Sequence, residues 1–184
     1  MLEAGGSSLE KIIKVNIYLT DMANFPKIIE LRRRYFKPPY PADTIVEVGA
    51  LGMGHTMKLI NNFISIGNCA VIAEATATAA KLGVDMRKFC EVIQAGGANS
   101  RMFQMVMPWL LEGDDSHLKG PLRIAGKDMR FYTRLAEQAP AAAFIAQAVN
   151  QTLHLCNVRG HGDRFLPVLP GLLADLNGAK IHDL

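Results

Sequence analysis

Lys58 and Asn62 lie four residues apart near the start of a long apolar stretch that runs from Gly52 to Gly83 without a proline. On a helix that spacing puts both side chains on one face. An amine one turn from an amide can move a proton and hold an oxygen-bearing ligand, or it can be a solvated helix face. The spacing alone leaves both readings open. Lys127 and Asp128 are adjacent, and as a bare dipeptide they are an ordinary charged pair. Asn61, Ser65 and Asn68 line a neighbouring stripe of the same stretch and read as helix-packing polar groups. His55 is a second acid/base candidate, with a structural hydrogen bond at a helix start as the plainer role. His154, His161 and His182 have no metal-ligand spacing, so no metal site is expected. Met102, Met105 and Met107 read as core or interface filler.

Two glycine motifs are excluded. A phosphate loop needs GxxxxGK[ST], and His55-Thr56 follows Gly54 instead. A dinucleotide loop needs GxGxxG after a strand, and the run from Gly52 to Met57 lacks the third glycine. The expected role of these glycines is steric, letting backbone approach a ligand at a helix start.

The chain has 184 residues, 49% hydrophobic and 20% charged, as in a globular protein. A net charge of +3 and the lack of a basic face interleaved with aromatics give no case for nucleic acid. Arg32-Arg33-Arg34 reads as a solvated face that suits a helix C-terminus. Cys69, Cys90 and Cys156 are three, far apart and without CxxC, which fits reduced core thiols in a cytoplasmic protein. The N-terminus lacks a signal-peptide pattern. Lys58, Asn61, Asn62, Asn68, Glu74 and Lys81 argue against a membrane span in the long stretch.

The elements that must position these residues follow from local patterns. Residues 11–19 alternate Val15, Ile17 and Leu19 and predict a strand. Residues 25–36 predict a helix, stopped by Pro38-Pro39-Tyr40-Pro41, and 44–48 a second strand. From about residue 55 every signal is helical. The long stretch is apolar or small on every side, so it predicts one largely buried helix, roughly 40 Å long at about 1.5 Å per residue. Asp85 caps a helix over 86–94, and Asn99 or Ser100 caps another to Leu111, with Pro108 kinking or restarting it. Further helices are expected at 124–137 and 141–158. Asp163 is expected to cap a last one, interrupted by Pro167 and Pro170. The fold class is mostly α: a small α+β segment at 1–49, then an all-α bundle at 50–184.

The front segment resembles the second half of a RidA (reactive intermediate deaminase, YjgF-type) subunit. The likeness rests on AGGSSLEKIIKVNIYLTDMANF, a helix ending in Tyr-Phe, and PPYPADTIVEV. In that family an arginine after the Pro-Ala pair binds the substrate carboxylate, and here that position is Asp43. A carboxylate repels an acid instead of pairing with it, so no deaminase chemistry is expected.

Residues from 52 to about 180 resemble the C-terminal helical domain of the β-hydroxyacid dehydrogenases, the 3-hydroxyisobutyrate and tartronate-semialdehyde reductase group. The matching segments are GMGHTMKLINN, AVIAEATATAAKLGVD, GGANSRMF, Lys127-Asp128 with Tyr132, and GHGDRFLPVL. The resemblance implies a bundle like the C-terminal domain of 6-phosphogluconate dehydrogenase. It implies that Lys58 is the catalytic acid/base, Asn62 binds the substrate's carboxylate or hydroxyl, and Lys127 contacts the nicotinamide cofactor, NAD or NADP. The positive helix end and partial burial would both work against a permanent ammonium at Lys58, as that role requires. Asn99 and Ser100 fall where a substrate can be approached. The family's dinucleotide-binding domain is replaced here by the RidA-like segment. The expectation is therefore a small hydroxy-acid site that does not bind NAD or NADP or turn over alone, in a homo-oligomer assembled through its helices. The alternative is a non-catalytic oligomerisation or binding module.

Overall fold

A computed structural model describes residues 8–47 and 52–182. The boundary expected between residues 49 and 50 and the end of the second strand at Val48 lie outside the described residues. The chain forms two compact units, Met1–Lys58 and Leu59–Leu184.

The first unit is a strand–helix–strand. β1 (Lys14–Leu19) and β2 (Ala42–Glu47) pair in parallel, with Lys14 opposite Ala42 and Leu19 opposite Glu47. Parallel neighbours need a crossover, and α1 (Phe25–Tyr35) supplies it. Asp21 caps the turn before α1 by accepting from the Ala23 amide at 2.8 Å. Residues 11–13 stay outside the expected strand, with Leu9–Lys11 in a short 3-10 turn. Asp43, on β2, is ion-paired to Arg32 of α1 at 2.6 Å. The Arg32 guanidinium also donates to the Pro41 carbonyl at 3.2 Å and lies over the Tyr40 ring at 4.9 Å. Arg32 is therefore tied into its own unit and is not part of the solvated face expected of the arginine run.

The long helix, α2, runs over Met53–Lys81. Gly52 precedes it at φ +92°, a conformation that favours glycine. A Cβ on Gly54 would stand 2.9 Å from the Tyr18 Cβ, so this glycine permits a close approach to β1. By length and composition α2 could cross a membrane. In this fold it is a core helix, burying Ile66, Cys69, Ala70, Ala73 and Ala77.

Five more helices complete the second unit: α3 (Met86–Ala95), α4 (Arg101–Glu112), α5 (Leu122–Gln138), α6 (Phe144–Val158) and α7 (Leu169–Leu176). Two caps follow the sequence signals. The Asp85 carboxylate accepts from the Lys88 amide at 2.9 Å, and the Ser100 hydroxyl from the Phe103 amide at 3.1 Å. One expectation fails and another is settled in part. α4 runs through Pro108 without restarting, with Trp109 and Leu110 beside it buried in the core. Asp163 caps nothing and pairs with Arg123 at 2.6 Å. The chain after it runs extended, with Leu166 and Leu122 amides donating to the Gly120 and Arg164 carbonyls, before Leu166–Val168 turns into α7. One core unites Phe103, Val106, Trp109, Leu110, Leu122, Met129, Leu153 and Leu169 with the inner face of α2.

All three cysteines are free and buried. Burial pushes the Cys69 thiol up from 9.0 to about 12. It raises Cys90 and Cys156 as well, outweighing Arg87 and Arg159 respectively. Native protein should therefore resist thiol-disulfide exchange reagents at pH 8, whereas denatured protein exposes three reactive thiols. The linked pH effect has a definite sign. Between pH 9.0 and about 12 the unfolded chain has lost the Cys69 proton that the folded chain keeps. Stability should fall across that window, with a slope approaching about 1.4 kcal/mol per pH unit for this group. Urea midpoints at pH 8, 9.5 and 10.5 measure it; an unchanged midpoint would contradict the burial of Cys69.

Candidate active site

Lys58 and Asn62 occupy successive turns of α2. Lys58 falls in the first unit and Asn62 in the second. Lys58 is exposed and has no partner among the described residues. The expected partial burial is not found in this chain, because the inward direction at this turn is taken by Leu59, which is 5% exposed.

Asn62 is half-buried and makes a specific contact. Its Nδ2 donates to Asp128 Oδ2 at 2.8 Å. The other carboxylate oxygen of Asp128 receives the Lys127 ammonium at 2.9 Å. The Asp128 side chain is 12% exposed and that of Lys127 is 43% exposed. One residue past Asn62 on α2 and one turn past Asp128 on α5, Phe63 and Tyr132 stack with centroids 4.2 Å apart. The polar pair and the aromatic pair thus fasten α2 to α5 side by side. Lys127 also lies 5.8 Å from the Phe131 ring. The result is an amide, a carboxylate and an ammonium in one line of hydrogen bonds, the ammonium end reaching solvent.

The structure brings Asn62 and Lys127 together through Asp128. Sequence reasoning noted Asp128 only as the lysine's neighbour. No local rule pairs residues 66 apart; the available signal was a carboxylate and an asparagine beside buried positions of their helices, each in want of a partner.

The other candidates have structural duties. Asn99 donates to the Gln94 carbonyl at 3.0 Å and accepts from Gln104 Nε2 at 2.6 Å, so both ends of its amide secure the turn between α3 and α4. Ser100 caps α4. His182 Nε2 meets the Leu110 carbonyl at 3.0 Å, with its ring edge-on to Trp109. No group of three or more metal-binding side chains occurs among the described residues. Met102 and Met107 pack against the core as filler.

Comparison with known proteins finds two families along the chain. Residues 52–165 match the family described as NAD-binding of NADP-dependent 3-hydroxyisobutyrate dehydrogenase. Residues 1–59 match the family described as Endoribonuclease L-PSP. Glyoxylate/succinic semialdehyde reductase 2 of Arabidopsis thaliana is 30% identical over 128 residues, 69% of this chain and 36% of that protein. A RutC family protein of Pyrococcus horikoshii is 47% identical over 51 residues, 28% of this chain and 40% of that one. The crystal structure of a 3-hydroxyisobutyrate dehydrogenase from Salmonella typhimurium has the same fold, with a TM-score of 0.68 at 18% identity, over 85% of this chain and 52% of that one. The chain spans about a third to a half of the length of these relatives. With more than half of its residues matched, the chain belongs to the NAD-binding family of NADP-dependent 3-hydroxyisobutyrate dehydrogenase, its helical region standing behind a front segment of the L-PSP type.

Proposed function

We propose that residues 52–184 form the helical, substrate-side half of an NAD(P)-dependent hydroxy-acid dehydrogenase site, inactive until a dinucleotide-binding domain joins it. The observation that carries this reading is the placement of Lys58 and Asn62 on successive turns of α2, with Asn62 tied through Asp128 to Lys127. In the oxidative direction Lys58 takes the proton from the substrate hydroxyl while Asn62 holds that oxygen. Lys127 suits the cofactor's acidic groups, since Asp128 steadies its ammonium and leaves it open to solvent. NAD or NADP, when bound, supplies the hydride acceptor. None of the 184 residues forms a GxGxxG loop, so the dinucleotide has to be held by another domain or chain.

The test is to join the dinucleotide-binding half of a 3-hydroxyisobutyrate dehydrogenase ahead of residue 52. The fused protein should oxidise a 3-hydroxy acid with NAD or NADP, and the unfused chain should not. A fused protein that folds and binds nucleotide but leaves every hydroxy acid untouched would defeat the reading.

A second reading, a non-catalytic assembly module, draws on the apolar outer face of the second unit. Ile64, Val71 and Leu82 on or just past α2 are 58%, 63% and 76% exposed, and Phe144 on α6 is 85% exposed. Such surface favours a partner, and we propose a homo-oligomer. Sedimentation velocity should give a species larger than one chain; a strict monomer at micromolar concentration counts against assembly.

A further inference from the structure

The outer side of α2 carries a pattern that its buried side does not require. Asn61, Ile64, Asn68, Val71, Ala75 and Thr78 follow one another by alternating steps of three and four residues, and Leu82, just past the helix, continues the series. All seven are exposed, on the side of the helix away from Ile66, Ala70, Ala73 and Ala77, which α2 buries in its own core. The outer side of a helix in a globular bundle is typically charged and polar. Here none of the seven is charged, and Ile64, Val71 and Leu82 are large and apolar. Glu74 and Lys81 each stand one residue before a position of the series, at the flank where a coiled coil keeps its charges. The Thr78 hydroxyl donates to the Glu74 carbonyl at 3.0 Å and needs nothing from a neighbour. Asn61 and Asn68 have no hydrogen-bond partner among the described residues. Steps of three and four give the 3.5-residue period by which one helix packs along another, knobs into holes.

We infer that this seam packs against the same seam of a second copy of the chain, the two α2 helices running in register so that Asn61 and Asn68 each meet their own counterpart. The seam is its own complement. In register every layer pairs like with like: Ile64, Val71 and Leu82 cover their counterparts, and each asparagine finds an amide that both donates and accepts. Asparagine at such a position fixes register and the number of strands at some cost in stability. A different helix would have to bring amides to the same two layers, and a lipid surface would leave both amides without partners. The inference rests on the assembly reading given above, whose surface it names, and not on the hydroxy-acid reading.

Sedimentation velocity of the 184-residue chain at micromolar concentration should give two chains for the unmodified protein and one for the double variant Ile64→Asp, Val71→Asp. Both aspartates fall on the exposed side and leave the core intact. Val92→Asp on α3, as exposed as Val71 but off the seam, should leave the pair in place. Buried Trp109 reports whether each variant stays folded. Register is read by mild oxidation with oxidised glutathione. Asn61→Cys and Asn68→Cys should each link two chains, whereas the unmodified chain, its three cysteines buried, should form no link. The inference is overturned if the folded double variant stays paired, if Val92→Asp breaks the pair as readily, or if either introduced cysteine fails to link. It is also overturned if the unmodified chain stays single and binds phosphatidylcholine vesicles instead. The two readings fail differently: a pair indifferent to the aspartates removes this seam and leaves assembly standing, and a strict monomer removes both.

Discussion

Replacing Lys58 with methionine in the fused enzyme lowers kcat by about 10²- to 10⁴-fold, the usual contribution of a positioned general acid/base. Methionine keeps the length and the apolar stem and removes only the proton carrier. Because Lys58 is exposed and has no partner among the described residues, the substitution breaks no ion pair seen there and empties no core. Folding should therefore be unaffected, with a stability change within about 0.5 kcal/mol. The KM for the hydroxy acid should change much less than kcat, since Asn62 still holds the substrate. Steady-state kinetics with a pH profile check this. A wild-type-like kcat in the methionine variant would remove Lys58 from the chemistry and leave it a surface lysine.

The largest effect on stability is expected at Phe103. It is 1% exposed on α4 and meets Phe89 edge-on at 6.5 Å, in the cluster that also holds Val106 and Trp109. Phe103→Ala removes most of a ring from a packed interior and leaves a cavity, at a cost of about 3–5 kcal/mol. Small domains have only about 5–15 kcal/mol of stability to lose, so the variant should be marginal at 37 °C. Phe144 is the control: at 85% exposure its truncation should cost under about 0.5 kcal/mol. Urea unfolding followed by emission of the sole tryptophan, Trp109, compares the two. A cost below about 1 kcal/mol for Phe103→Ala would mean that α4 is not seated in the core as described.

How much of this was legible depended on whether the cause was local. The caps at Asp85 and Ser100 are set by residues three positions apart, and the sequence announces them. The long helix is equally plain, because thirty residues of small and apolar side chains without proline leave few alternatives. What failed were features settled by distant partners. Asp163 looked like a cap and was taken by Arg123, forty residues away. Pro108 offered a kink or a restart, and with its neighbours buried the helix does not restart there. Arg32 looked like part of a solvated run and found Asp43 across the crossover. That pair also gives the front segment its own logic. Asp43, where the resemblance implied an arginine, is already paired with Arg32.

The candidate site shows the same split. Lys58 and Asn62 were found by spacing and resemblance, Lys127 by resemblance. Their connection through Asp128 required knowing that α2 and α5 lie side by side, which depends on how the apolar faces of six helices are shared out and not on any one of them.

The central claim is that the helical half of a dehydrogenase site is present and the dinucleotide must be supplied from elsewhere. Calorimetric titration of the purified 184-residue chain with NADH and NADPH tests it most directly. The account predicts no saturable heat up to millimolar nucleotide, and micromolar binding to the chain by itself would contradict it.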